Sequence, residues 1–139
     1  MRALLDTCVI IDAMQNREPF SKDAQDLFLA AANNLFVGCI TAKASTDIYY
    51  LMHRHTHSDK ASREVLSKLF SLFEVADTAG IDCRRAIPSP VVDFEDAVMI
   101  ETAARTEVDC IVTRNEQDFV KSTVPVLSPK DFLNNLMTE

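Results

Sequence analysis

Apolar residues along the chain follow two rhythms. Short continuous runs at residues 3–5 (ALL), 35–40 (LFVGCI) and 109–113 (DCIVT) read as buried strands, because a strand covered on both faces has no polar side to show. Residues 73–76 and 124–127 are weaker strand candidates. Between these runs the apolar spacing lengthens to that of a helix. The spacing predicts helices over residues 24–32, with Ser21 as N-cap, and over 41–53, with Ile48, Leu51 and Met52 on one side. A further helix is expected from Ser58 or Asp59 to Phe70, carrying Val65, Leu66, Leu69 and Phe70, and another over residues 94–105. Ser128 caps a last one through Leu136. Pro88-Ser89-Pro90 marks a loop, since proline restricts both itself and the residue before it. Strand–helix alternation with continuous apolar strands predicts an α/β fold whose parallel sheet is covered on both faces. No repeat, low-complexity tract or linker interrupts the pattern, so residues 1–139 are taken as one domain.

Composition narrows the class without naming a function. Hydrophobic residues make up 47% and charged residues 25%, ordinary globular usage that argues against disorder. With only two glycines and five prolines, connections should be short. A formal net charge of −7 disfavours a simple basic-surface nucleic-acid binder, whose affinity comes from neutralising phosphates. It suits carboxylates gathered around a cation, a basic partner, or an ordinary soluble protein. Cys8, Cys39, Cys83 and Cys110 stand far apart, which fits reduced thiols in the cytoplasm. Asp6 comes too early for a secretory leader, and no apolar run is long enough to cross a bilayer.

The acids then acquire a pattern. Parallel α/β sheets bind ligands beyond the carboxyl ends of their strands. Asp6 directly follows the first strand, and Asn115, Glu116 and Asp118 follow the strand at 109–113. Asp47 lies in the helix after the second strand, and Asp96 one turn into the helix after the proline loop. Singly, each has a plain structural reading. Asp6 could cap the next helix, Asp93 could be an N-cap with Asp96 at the third position, and Asp47 and Asp118 could be solvated. Their joint placement at one sheet edge is what points to a site.

Four segments in order, LLDTCVIID (4–12), TAKASTDIYYL (41–51), DFEDAVMIETA (93–103) and IVTRNEQDF (111–119), resemble the PIN domain and in particular the VapC-type toxins of bacterial toxin–antitoxin pairs. The resemblance covers nearly the whole chain. It implies a three-layer α/β/α sandwich around a parallel sheet, with a pocket lined by Asp6, Asp47 and Asp96. A fourth position comes from Asn115 or Asp118, between which the sequence does not choose. The family's second acid is more often glutamate, so Asp47 is a departure shorter by one methylene. The implied activity is a Mg²⁺- or Mn²⁺-dependent endoribonuclease hydrolysing RNA phosphodiesters. Asp6, Asp96, Asn115 and Asp118 are then the metal positions, and Asp6, Asp47, Asp96 and Asp118 the catalytic acids. Hard oxygen ligands suit those cations. Thr7 and Thr113 would hydrogen-bond carboxylates or phosphate, and Arg114 would touch the substrate backbone. A cognate antitoxin and a homodimer are also implied, the dimer contact drawn from apolar residues in 49–52 and 65–70.

Other readings compete. A non-catalytic PIN-like module acting through a protein or RNA partner would keep the shape without the chemistry. An aspartyl-phosphate phosphohydrolase resembles a D-x-D start, but Cys8 stands where the second acid belongs. His53 and His57 have a zinc-like spacing without a third ligand. Tyr49 and Tyr50 could stack on a base, but amphipathic core packing or a dimer contact is the better explanation.

Overall fold

In the computed structural model, which describes residues 1–138, the apolar runs become strands β1 (Arg2–Leu5), β2 (Val37–Thr41), β3 (Glu74–Ala76), β4 (Cys110–Val112) and β5 (Val126–Leu127). All pair in parallel, in the order β3-β2-β1-β4-β5. Among the described residues seven α-helices join them: α1 (Thr7–Met14), α2 (Ser21–Ala32), α3 (Ala42–Thr56), α4 (Asp59–Leu72), α5 (Gly80–Ala86), α6 (Phe94–Arg105) and α7 (Pro129–Thr138). The expected three-layer sandwich is what forms.

Strand alternation sorts the core into two sides. Ala3, Leu5, Ile40, Cys110 and Val112 face a large core with Val9 and Ile10 of α1, Leu27 of α2, Ile48 of α3, Leu69 of α4 and Phe132 of α7. Leu4, Cys39 and Ile111 face the opposite side, where Ile100 and Ala103 of α6 meet Phe119 and Val124. Leu5, Ile10, Ile40 and Ile111 are at most 1% exposed. Each such side chain contributes about 1.5–3 kcal/mol, so this layering supplies much of the stability. Phe132 and Phe36 meet edge-on at 4.9 Å between ring centres, clasping the last helix to the sheet.

The elements depart from the sequence pattern in several places, among them α1, a helix that the apolar run at 9–11 does not announce. Ser21 does not cap α2 from outside. It is the first helical residue, with Phe20 at the cap, and its hydroxyl donates to Glu18 Oε1 at 2.8 Å. β2 begins at Val37 because Asn34 turns the chain with a left-handed φ of 58° and Phe36 is spent on packing. α5 has no amphipathic signature. It stands on buried Asp82, which accepts from the Ala79 N–H (2.8 Å), Thr102 Oγ1 (3.0 Å) and Arg105 Nε (2.8 Å). Those bonds tie α5 to α6.

Candidate active site

The sheet changes direction between β1 and β4: β2 and β3 extend it on one side, β5 on the other. At such a switch point the connections diverge and leave a crevice beyond the carboxyl ends of the strands. Asp6 stands there. It occupies the N-cap of α1 with extended backbone, φ −67° and ψ 149°, but its side chain makes no capping bond. Its Oδ2 instead accepts from the Thr113 hydroxyl at 2.8 Å, just past the end of β4. Thr113 is fully buried, so that bond is shielded from water. The Cys8 thiol donates to the same oxygen at 3.4 Å. Burial, and then the charge of Asp6, push that thiol up to about 11, so it stays protonated and can donate.

Asp96 reaches the crevice from α6. Asp93 caps this helix, its Oδ1 accepting from the Asp96 N–H at 3.0 Å. The structural roles expected of the pair are therefore present, and Asp96 carries a second one. Burial, then the charges of Asp93, Asp6, Asp118 and Glu95, push the Asp96 carboxyl up to about 6. Among the described residues, no Lys, Arg or His forms an ion pair with Asp6, Asp93, Asp96 or Asp118. A cavity of about 340 Å³ opens here, with Asp93, Asp96 and Asp118 in its wall and Val91, Val120 and Lys121 around it.

The two candidates for the fourth position part ways. Asp118 lies in a 3₁₀ turn, Glu116–Phe119, anchored by Phe119 in the core, and lines the cavity with Asp96. Asn115 sits on the Asp6 side: its backbone N–H donates to Thr113 Oγ1 at 3.0 Å, and its side-chain amide points at Cys8 Sγ at 3.8 Å. Asp47 is not among the charges that raise Asp96. Lys43, one turn earlier on α3, holds it at 2.7 Å and also reaches Glu95 Oε2 at 3.2 Å. Asp118 thus shares the cavity wall with Asp96, Asp6 stands near enough for its charge to act on Asp96, and Asp47 is engaged by Lys43. Among the described residues, no three His, Cys, Asp or Glu side chains are already gathered as a metal cluster.

Arg114 is not free for substrate. Its Nε lies 2.6 Å from Asp12 Oδ2, and its guanidinium sits over the Phe20 ring at 4.3 Å. Asp12 was passed over in the sequence, although an acid inside the apolar run CVIIDAM needs a cation if buried. The zinc reading of His53 and His57 fails locally: α3 ends at Thr56, and His57 turns left-handed with φ 56°. The Tyr49 hydroxyl is taken by Asp59, while Tyr50 is 61% exposed.

A crevice at the switch point of an open α/β sheet is where such proteins bind their ligands. The family follows from the sequence: the PIN domain profile matches residues 2–117, and the chain belongs to that family. No curated protein shows significant similarity to the chain. Solved structures share its fold. VapBC-1 from nontypeable Haemophilus influenzae is 15% identical with a TM-score of 0.69, covering 94% of this chain and 99% of the other. A toxin–antitoxin complex from Klebsiella pneumoniae is 21% identical, TM-score 0.66, covering 91% and 97%. Mycobacterium tuberculosis VapC20, described as a sarcin–ricin loop cleaving toxin, is 13% identical, TM-score 0.61, covering 78% and 86%.

Proposed function

We propose that this protein is a metal-dependent endoribonuclease that hydrolyses RNA phosphodiester bonds, the toxin of a toxin–antitoxin pair. The observation that carries the reading is the Asp96 carboxyl, held up to about 6 beside Asp6, Asp93 and Asp118 with no protein cation paired to them. Membership of the PIN family, a fold shared with VapBC complexes and a relative described as cleaving the sarcin–ricin loop support it.

The donor set suits Mg²⁺ or Mn²⁺. It is all oxygen, it carries excess negative charge, and Mg²⁺ needs only one or two carboxylates because it keeps its waters and takes substrate phosphate as well. Asp6 and Asp96 would hold the ion, with Asp118 or Asn115 beside them. When bound, it would supply an activated water and stabilise the leaving oxygen. The chain's own part is positioning. Thr113 fixes one Asp6 oxygen through its hydroxyl, and α6 presents Asp96 from its first turn.

An antitoxin partner and a homodimer belong to the same proposal. Exposed Tyr50 and Phe70 on α3 and α4 support a protein contact there, while Ile48, Met52 and Leu69 of those helices are buried in the core. No described helix is long and apolar enough to cross a membrane, in keeping with a cytoplasmic protein. One observation favours the non-catalytic reading: Lys43 engages Asp47.

Purified protein incubated with RNA decides between them. We expect cleavage with Mn²⁺ or Mg²⁺, none with chelator, and a loss of at least a hundredfold in Asp6→Asn. Failure to take up Mn²⁺ in a calorimetric titration, with no cleavage, would leave the binding module.

A further inference from the structure

We infer that Asp12 and Arg114, seated on Phe20, form a positioning device that sets the Asp6 carboxylate; the inference rests on the nuclease reading of that site. Asp12 is 1% exposed on α1, an acid buried against a guanidinium. Arg114 meets it through Nε at 2.6 Å and Nη2 at 3.5 Å, while Arg17 Nη1 stands 4.0 Å away. A buried ion pair seldom stabilises a fold more than apolar residues of the same shape. Its use here is geometric. Arg114 lies between Thr113, which donates to Asp6, and Asn115, which points at Cys8. Asp6 and Asp12 lie at the start and within the body of α1, about 9 Å apart along its axis. The segment after β4 is therefore fastened to α1 by Thr113 to Asp6, by Asn115 to Cys8 and, farthest along the helix, by Arg114 to Asp12. The fastening at Asp12 lies about 9 Å from the first, so it fixes the segment's rotation as well as its distance, and with them the Thr113 hydroxyl that orients Asp6. Stacking on Phe20 requires the flat guanidinium, which lysine lacks.

The test is Arg114→Lys, with Arg63→Lys as control, because Arg63 forms an exposed pair with Asp59 on α4. Arg114→Lys keeps the charge near Asp12, and Arg17 remains beside it, so the variant should fold. We expect a five- to thirtyfold loss in kcat and in Mn²⁺ affinity, a KM for RNA within twofold of the parent, and partial rescue of kcat by excess Mn²⁺. A residue that only braces the fold would lower the melting temperature and leave kcat of the folded enzyme unchanged. A residue that contacts phosphate would raise KM. Either result overturns the inference. Should Arg114→Lys not fold, Phe20→Leu removes the stack alone and is read by the same criteria. The ¹³C shift of the Asp6 carboxyl in metal-free protein separates the two claims. If the parent neither binds Mn²⁺ nor cuts RNA, the nuclease reading fails, and positioning is judged by whether Arg114→Lys moves that signal; an unmoved signal overturns it.

Discussion

Asp96 should make the metal-free protein less stable above its own pKa, and Asp96→Asn should relieve that penalty. The unfolded chain titrates Asp96 near 3.8, and the fold holds the proton up to about 6. Below pH 4 the group is protonated in both states, and folding loses nothing. Between about pH 4 and 6 the unfolded chain gives up its proton while the folded one keeps it, so stability falls as pH rises. Above 6 the whole penalty stands. Two pH units correspond to a ceiling of about 3 kcal/mol, and partial solvent access to the carboxyl reduces this to about 1–2 kcal/mol. Asparagine has no charge to suppress. It forgoes the favourable meeting of an acid with the first turn of α6, about 0.5 kcal/mol. The net gain at pH 8 is about 1 kcal/mol, or about 3–5 °C in melting temperature for a domain of this size.

The assay is thermal unfolding of parent and Asp96→Asn in chelator across pH 4 to 8. Asp96→Asn should melt higher at pH 8 and lose that advantage at pH 4. A variant less stable than the parent by the same amount at every pH would refute the reasoning. It would mean that Asp96 is held by interactions independent of its charge, and the electrostatic case for a cation beside it would go too.

Two further outcomes follow from packing and bonding at the sheet. Gly38→Ala would place a Cβ 2.5 Å from Phe73 Cδ1, and Phe73 is 2% exposed with little room to retreat; denaturant titration should show a loss of about 1–3 kcal/mol with RNA cleavage unchanged per folded molecule. Thr113→Val keeps the buried shape but removes the donor to Asp6, so it should cost about 1 kcal/mol in the same titration and weaken Mn²⁺ binding, whereas unchanged affinity would show that Asp6 needs no such orientation.

The central strands were legible because they are buried on both faces and read as continuous apolar runs, whereas β3 and β5, exposed or half-buried at the edges, announce themselves only weakly. Helix α6 was legible to its ends, since Asp93 announces the start and the apolar spacing runs on to Arg105. Helix α5 was not, because its reason is tertiary: Asp82 is buried only where Thr102 and Arg105 of α6 arrive to meet it. The site divides in the same way. Asp6 follows a strand and Asp96 opens a helix, and topology alone carries both to one edge. The choice between Asn115 and Asp118 depends on a 3₁₀ turn that sends one toward Cys8 and the other toward Asp96, a matter of three residues that periodicity does not reach. Arg114 was read as a substrate contact because its surroundings, Asp12 and Phe20, come from a different part of the chain.

The distribution of cations explains why the crevice keeps its charge. Lys43 is committed to Asp47 and Glu95, Arg114 to Asp12, and Arg105 to Asp82. Each pairing satisfies an acid on a flanking helix, and among the described residues none forms an ion pair with Asp6, Asp93, Asp96 or Asp118. Part of the net charge of −7 therefore stays unpaired at the switch point, where Asp96 answers it with an elevated proton affinity. A phosphate chain approaching that point meets repulsion from the cluster, with Lys121, among the described residues, the one cation in the cavity wall to offset it. On the proposed function, a divalent cation is then needed to admit the substrate as well as to activate water. The acidity that argued against a basic-surface nucleic-acid binder is thus an asset to an enzyme that borrows its positive charge.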